Sequence, residues 1–498
     1  MKIAVFADLH LPDRPDTVKE QVLDMAVHHL RCVEKVDQIL CAGDMTAAGT
    51  VAASERLIRK LRSIGTPFLI TPGNAEHRTP QEREESARIL ATPVAERKFR
   101  MLDSADGFFT DEAVRLLNDL PDNAIPVTHT PPDHLPEKDR LLLESVKSKI
   151  RLLIAGHLHI DKDDGIVQLV RGMDPDKAIG APPALTIFEL DGHNINRRNI
   201  TPADAEPRNW SAEAVDGFLS MLGISGMDEP LENLAFAAAE KVPCVELRYW
   251  SLTDLPEKQI LDAVKQWRDS GGHTLSVHLP DIGFRDGAVT GEERLRRTLD
   301  AALATGCDRF TLHVPAMSVA DAKNPEILAM TADRTAECLA PVIRQGMYGG
   351  IENMHMRPSE PPGDLRNFGY TPAECRQWID MIRGRLGAHG DRLGFHFDIG
   401  HARNNAPYSS TDPVCSWLAA FGSEVNGMHL HQVAIKPDGT FTNHAPLMSF
   451  YDPLISLASL FLSWQSGQLH HAPMFLEIRN KLGPASLRAL RHLFAGTH

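Results

Sequence analysis

The chain has 498 residues, of which 43% are hydrophobic and 24% charged, and its formal net charge is −14. That length predicts two or three domains, each able to bury its own core, and the composition excludes a fibrous or disordered chain. The acid surplus argues against a nucleic-acid binder, which needs a basic face for the phosphates, although bound divalent ions would offset part of it.

The first stretch with chemistry in it is FADLHLPD, where the apolar run from Ile3 to Phe6 leads to Asp8 and His10. Side chains two apart on a strand point the same way, so this carboxylate and imidazole can reach one metal ion. Asp44 in LCAGDMT, Asn74 in ITPGNAEH, His129 in VTHTPP, and His157 and His159 in IAGHLHI follow, and in four of these five places an apolar run leads to the polar residue. The polar groups thus gather at strand ends, where open α/β sheets bind ligands. EQVLDMAVHHLRCVEK and SERLIRKLRSIG have helical spacing, and His28 and His29 read as ordinary helix residues. The charged stretch 82–117 reads as mostly helical, a cap over the metal residues. GIVQLVRG and ALTIFELDG read as closing strands, and the Asn, Pro and Arg of 193–212 read as a linker.

Beyond the linker, strand and helix alternate. The strand candidates are FLSMLGI, PCVELRYW, TLSVHLP, RFTLHVP, YGGIENM, LGFHFDIGH, NGMHLHQV and PMFLEIRN, with amphipathic stretches such as KQILDAVKQWRD and EERLRRTLDAALATG between them. Eight such units over residues 213–498 predict a (β/α)8 barrel with its site at the C-terminal strand ends. His278, His313, Glu352, Asp398, His401, His429, His444 and Glu477 fall there, and such a set suits Zn, Mn or Fe. Among the other residues of this mouth, Arg248 and Tyr249 are open to substrate or to a salt bridge. His396 reads as core or ligand, and Arg479 as a partner for an anionic group. MHMRPSEPPGDLRNFGY is a loop that could close over a substrate.

Taken in order, the motifs of residues 1–192 resemble the calcineurin-like metallophosphoesterases, whose pattern runs D-x-H, G-D, G-N-H-[DE], H, G-H-x-H. The resemblance implies an α/β sandwich with two divalent ions: Asp8, His10, Asp44 and His159 on one, Asn74, His129 and His157 on the other, and Asp44 bridging. Two such ions can clamp a phosphoryl group and activate a water. One position departs from the pattern, because Ala75 stands where family members carry a histidine that assists the leaving group. His77, two residues on, is a candidate substitute. Small members that lack this histidine resemble phosphodiesterases, so a diester or an activated ester is the expected substrate.

The IEN, FDIGH, MHLH and FLE motifs make the second half resemble the xylose isomerase-like TIM barrels, which include sugar isomerases and epimerases as well as endonuclease IV. The isomerase pattern implies one metal held by Glu352, Asp398, His429 and Glu477, with Glu352 and Glu477 also moving a proton between neighbouring carbons. The endonuclease IV pattern implies three metals and adds His278, His313, His401 and His444. It also expects an aspartate where this chain has Thr442.

The sequence thus predicts an N-terminal metallophosphoesterase α/β sandwich followed by a TIM barrel. Two divalent ions are expected in the first domain and one to three in the second. The substrates expected are small phosphorylated or sugar-like molecules; the alternative is a repair nuclease with phosphodiester cleavage in both halves, and a further one a regulatory protein with two spent sites. No apolar run reaches the roughly 20 residues of a membrane span. The opening MKIAVFADLH interrupts any secretion signal with an acid and a histidine. Seven cysteines, with no C-x-x-C pair, read as reduced thiols of a cytoplasm.

Overall fold

A computed structural model describes residues 1–91, 97–192, 194–356, 365–452 and 454–495. The chain divides into two compact units, one of residues 1–206 with 450–462 and the other of 207–449 with 463–498.

The first unit is a sandwich of two five-stranded sheets. In one, Lys2–Phe6, Gln38–Ala42 and Phe68–Thr71 run parallel, and Leu185–Asp191 joins the first of them antiparallel. The other is built on the parallel strands Phe99–Leu102, Ile125–Thr128, Leu153–Ala155 and Val167–Leu169, edged by Lys162–Asp164. Alternate residues of the two sheets, among them Ile3, Val5, Leu40, Leu69, Ile125, Val127, Ile154 and Phe188, meet in one buried cluster. Strands buried on both faces read as continuous apolar runs, and the sequence shows them as such.

Three boundaries differ from the sequence reading. Asn194–Ile200, inside the expected linker, pairs with Leu185–Asp191 along its whole length. NINRRNI is a polar edge strand, so it lacks the alternation that would have marked it; Arg197 holds it by donating to Gln168 Oε1 (2.9 Å) and to the Leu169 carbonyl (2.7 Å). The expected helical cap of 82–117 contains Phe99–Leu102, a strand of the second sheet, between the helices Arg83–Leu90 and Asp111–Asn118. Finally, residues 450–462 leave the barrel sequence and join the first unit. There Tyr451 donates its hydroxyl to the Ala205 carbonyl (2.5 Å), its carbonyl accepts from Gly180 N (2.9 Å), and Ser459 bonds Asp176.

The second unit is a closed eight-stranded parallel barrel of Leu222–Ser225, Cys244–Arg248, Thr274–His278, Arg309–His313, Tyr348–Glu352, Leu393–Asp398, Val425–Leu430 and Met474–Leu476. Every strand expected from the sequence is present. The segments after the strands add a small sheet containing Gly283–Arg285 and Ala316–Ser318, and a hairpin of Gln432–Ile435 with Phe441–Ala445. Residues 357–364 of the loop read as a substrate lid lie outside the described residues.

Two candidate metal centres

In the first unit the strand ends deliver their polar residues through strained backbone. Asp8, His10, Asp44, His157 and His159 all have positive φ, between 49° and 73°. Non-glycine residues in this region are uncommon, and such strain clusters at sites whose surroundings enforce it. The loops are fastened by Glu76, which is buried and accepts from Asp44 N (2.9 Å), Thr46 N (2.7 Å), Thr46 Oγ1 (2.8 Å) and Gly73 N (2.8 Å). Ala75 N donates to Asp44 Oδ1 at 2.7 Å, and His157 N donates to both oxygens of Asp8.

Hydrogen-bond directions then fix which atoms carry lone pairs. His129 donates Nδ1–H to the Ala42 carbonyl (3.0 Å), so its Nε2 is an acceptor. That Nε2 faces Asn74 Oδ1 at 3.1 Å, His157 Nδ1 at 3.0 Å and Asp44 Oδ1 at 3.4 Å. Asp44 Oδ2 lies 3.5 Å from His10 Nε2, and Asp8 Oδ1 lies 3.9 Å from His159 Nε2. Converging lone pairs repel unless a cation lies among them, and ligand atoms about 2.1 Å from one metal stand about 3 Å apart. The residues therefore fit two divalent cations, with Asp44 turned to both groups. Burial holds the imidazoles of His10, His159 and His157 below their usual range, the last at about 4, so they stand neutral. Burial and the neighbouring Asp44 push the carboxyl of Asp8 up instead.

His77 is placed elsewhere. Its Nδ1 pairs with Asp106 (2.8 Å), and it lines a cavity of about 250 Å³ with Ile70, Pro72 and Arg83.

The barrel mouth shows the same logic with other tautomers. His278 donates Nδ1–H to the Leu279 carbonyl (3.1 Å) and His313 donates Nδ1–H to Asp281 (2.7 Å). Both Nε2 atoms then face Glu352 Oε2, at 3.2 and 3.4 Å, and this buried oxygen has no hydrogen-bond partner among the described residues. His429 is oriented the opposite way. Its Nε2 is held by the fully buried Glu246 (2.7 Å), so Nδ1 faces Glu352 Oε1 (3.0 Å), Glu477 Oε2 (3.3 Å) and Asp398 Oδ2 (3.8 Å). Glu246 is itself braced by the hydroxyls of Ser276 (3.0 Å) and Thr311 (2.8 Å). The two oxygens of Glu352 thus serve two groups of donors, and these residues too fit divalent cations.

His401, His431 and His444 form a further cluster. His401 donates Nδ1–H to the Asn353 carbonyl (3.0 Å) and His444 donates its own to the Glu477 carbonyl (3.1 Å), which leaves both Nε2 atoms as donors to a metal. His431 differs. Its Nδ1 lies between the His444 backbone N–H (2.9 Å) and the Gln432 carbonyl (3.1 Å), and its Nε2 faces Asp398 (3.1 Å). Its imidazole braces Asp398 beside the cluster, while Thr442 Oγ1 turns to the Asn443 carbonyl. Arg248 donates to Glu477 Oε1 (2.6 Å), the salt-bridge option, and Tyr249 lies under the guanidinium of Arg294 (4.0 Å). His396 is buried against His429, and burial pushes its imidazole down to about 3. Above the cluster lies a cavity of about 820 Å³ bordered by Arg248, His355, Lys436, Phe441, Asn443 and Arg479.

Glu246 and His431 were the site residues that motif reading passed over. Glu246 looks like any strand residue in CVELR, because its partner lies 183 positions away. His431 was visible as the second histidine of MHLH, but only its hydrogen bonds give it a role.

The family model for calcineurin-like phosphoesterase matches residues 1–161, and that for the xylose isomerase-like TIM barrel matches 234–461. Residues 1–161 thus carry a calcineurin-like phosphoesterase domain and residues 234–461 a xylose isomerase-like TIM barrel. Similar solved structures include a D-tagatose 3-epimerase-like protein, with 17% identity over 55% of this chain and 97% of that one at a TM-score of 0.39. A xylose isomerase domain protein from Alicyclobacillus acidocaldarius has 15% identity over 55% and 99%, at 0.40. A Thermus thermophilus protein soaked with ZnCl2 has 23% identity over 56% and 99%, at 0.34. No curated protein matches significantly.

Proposed function

We propose that the N-terminal domain hydrolyses a phosphoester, a diester by preference, with two divalent metal ions (Mn, Zn or Fe). The observation that carries this reading is Asp44, whose two oxygens face separate donor groups, His129 and Asn74 on one side and His10 on the other. When bound, the ions would supply Lewis-acid activation of water and neutralisation of the phosphoryl charge. Asp8, His10, Asp44 and His159 would hold one, Asn74, His129 and His157 the other. A full-length protein loaded with Mn²⁺ is expected to cleave bis(p-nitrophenyl) phosphate faster than p-nitrophenyl phosphate, and Asp44→Asn is expected to abolish both activities. A preference for the monoester would overturn the diester assignment.

The barrel then acts on a sugar or sugar phosphate as an isomerase or epimerase. Glu352, Asp398, His429 and Glu477 would hold its metal. Arg248 fixes Glu477 through Oε1 and leaves Oε2 directed at the cluster, so Glu352 and Glu477 are the groups that would move a proton between carbons. Six of the seven cysteines are buried thiols, in keeping with a reducing cytoplasm. A second reading, a hydrolytic barrel in a repair nuclease, is favoured by His278 and His313 facing Glu352 Oε2, which gives the mouth a second donor group. Metal content separates the two. About three ions per chain, falling to two in Glu352→Ala, supports the isomerase; four or more, mostly zinc and falling by two, supports the nuclease.

A further inference from the structure

The phosphoesterase site has a gap in its own logic. The residue after Asn74 is the fully buried Ala75, which carries no side-chain donor, and His77 has its Nδ1 paired with Asp106 (2.8 Å). A phosphoryl group surrounded by ligand lone pairs still needs donors for the oxygens that the ions do not hold.

The ammonium of Lys177 stands at the edge of the cluster. Lys177 Nζ lies 3.3 Å from His10 Nε2, the nitrogen that faces Asp44 Oδ2. Its charge is felt by Asp8, His10, His157 and His159. The turn Pro175–Lys177 that carries it is unusually well fixed. Asp174 caps it by accepting from Asp176 N (2.8 Å), and Met173 N donates to the Ala7 carbonyl (2.9 Å), one residue before Asp8. Beneath the turn, the buried ammonium of Lys19 bridges Asp174 (2.8 Å) and Asp176 (3.1 Å). A buried ion triad of this kind is weak evidence for stability, but it specifies one geometry. Gly172 lies so close to His159 that a Cβ there would stand 2.5 Å from its Nδ1. The whole segment 172–177 is therefore held against the ligands, with a lysine at its end.

We propose that Lys177 is a phosphate-binding residue of the N-terminal site, donating to a non-bridging phosphoryl oxygen and filling the role left open at Ala75. This rests on the phosphoesterase reading. A lysine acts here as a movable point charge with three donors, which suits an oxyanion of variable position. It also makes the site strongly cationic once the ions are bound, which favours an anionic ester over a neutral one.

The test uses full-length, Mn²⁺-loaded protein with inorganic phosphate as the probe, in Lys177→Met and Lys177→Arg. Metal content should equal that of the wild type in both. The phosphate dissociation constant, by calorimetry, should rise roughly 10- to 100-fold in Lys177→Met, as for loss of one charged hydrogen bond, and recover at least in part in Lys177→Arg. The KM for bis(p-nitrophenyl) phosphate should move with it. Unchanged phosphate affinity would overturn the proposal while leaving the phosphoesterase reading intact. Loss of metal in both variants would also overturn it, making Lys177 a prop for His10. A wild type that takes up no metal in this domain and binds no phosphate would sink the phosphoesterase reading itself.

Discussion

His429 and Asp8 are both raised above their usual ranges, for opposite reasons. In the barrel, burial opposes a charged imidazole, but the carboxylates of Glu477, Glu246 and Glu352 overcome it and raise His429 well above its usual range. In the first unit the imidazoles are pushed down and the carboxyl of Asp8 is pushed up. A metal must displace any proton these groups hold, so binding is expected to release protons at both centres at the lower end of the pH range. For His429 the sign is definite. Its folded value lies above its unfolded one, so its stabilising contribution is full below about pH 6.5 and is lost as pH rises through the raised value. Barrel metal affinity should therefore climb with pH by about tenfold per unit over that interval. Calorimetric titrations in buffers of different ionisation enthalpy would show it, and a pH-independent affinity would refute it. Glu246 gives a second prediction. Despite its complete burial, contact with His429 holds its carboxyl down at about 2. Glu246→Gln removes the charge that fixes His429 with Nδ1 toward the metal, so barrel affinity should fall about 10- to 100-fold with the fold retained. Metal binding measured against a competing chelator would check it. The ligand types and their order were legible in the sequence, because most of them follow apolar runs. The tautomers were not, since they depend on carbonyls and carboxylates up to 183 residues away.

Among the elements, the short connections after strands carry more of the function than the strands do. The turn Asn74–His77 is one case: Gly73, before it, lets Asp44 and Asn74 approach, and a Cβ there would lie 2.3 Å from Asp44 Oδ1 and 2.4 Å from Asp44 N. Gly73→Ala should thus cost about 1–3 kcal/mol of stability by overpacking and remove metal from the first unit only. Thermal unfolding and elemental analysis would check both parts, and retained metal would show that the loop can shift. The eight barrel strands were readable because each is an apolar run ending in a polar residue. The polar strand Asn194–Ile200 and the hairpin Gln432–Ile435 with Phe441–Ala445 were not, since they stand on partly exposed surface where no alternation is enforced. Phe99–Leu102 was hidden by the charged helices on either side of it.

For the whole molecule, the consequence that motif reading could not supply is that a cut between the two families is not a cut between two folding units. The phosphoesterase fold includes residues 450–462, taken from the segment between the seventh and eighth barrel strands. Within that unit, Ser459 and Ser456 N bond Asp176, and Tyr451 bonds Ala205 and Gly180. Asp176 is also one of the two acids under Lys19, so the strap completes the same buried group that fixes the turn of Lys177. A fragment of residues 1–206 would leave Asp176 short of the hydroxyl donor that Ser459 supplies. Losing one hydrogen bond to a buried carboxylate costs about 1.5–3 kcal/mol. The fragment should then unfold several degrees below the corresponding transition of the full chain. Ser459→Ala in the intact chain should lower that transition by a smaller amount. Scanning calorimetry of all three proteins measures this directly, and a fragment as stable as the intact chain would mean that the strap contributes nothing to the first unit.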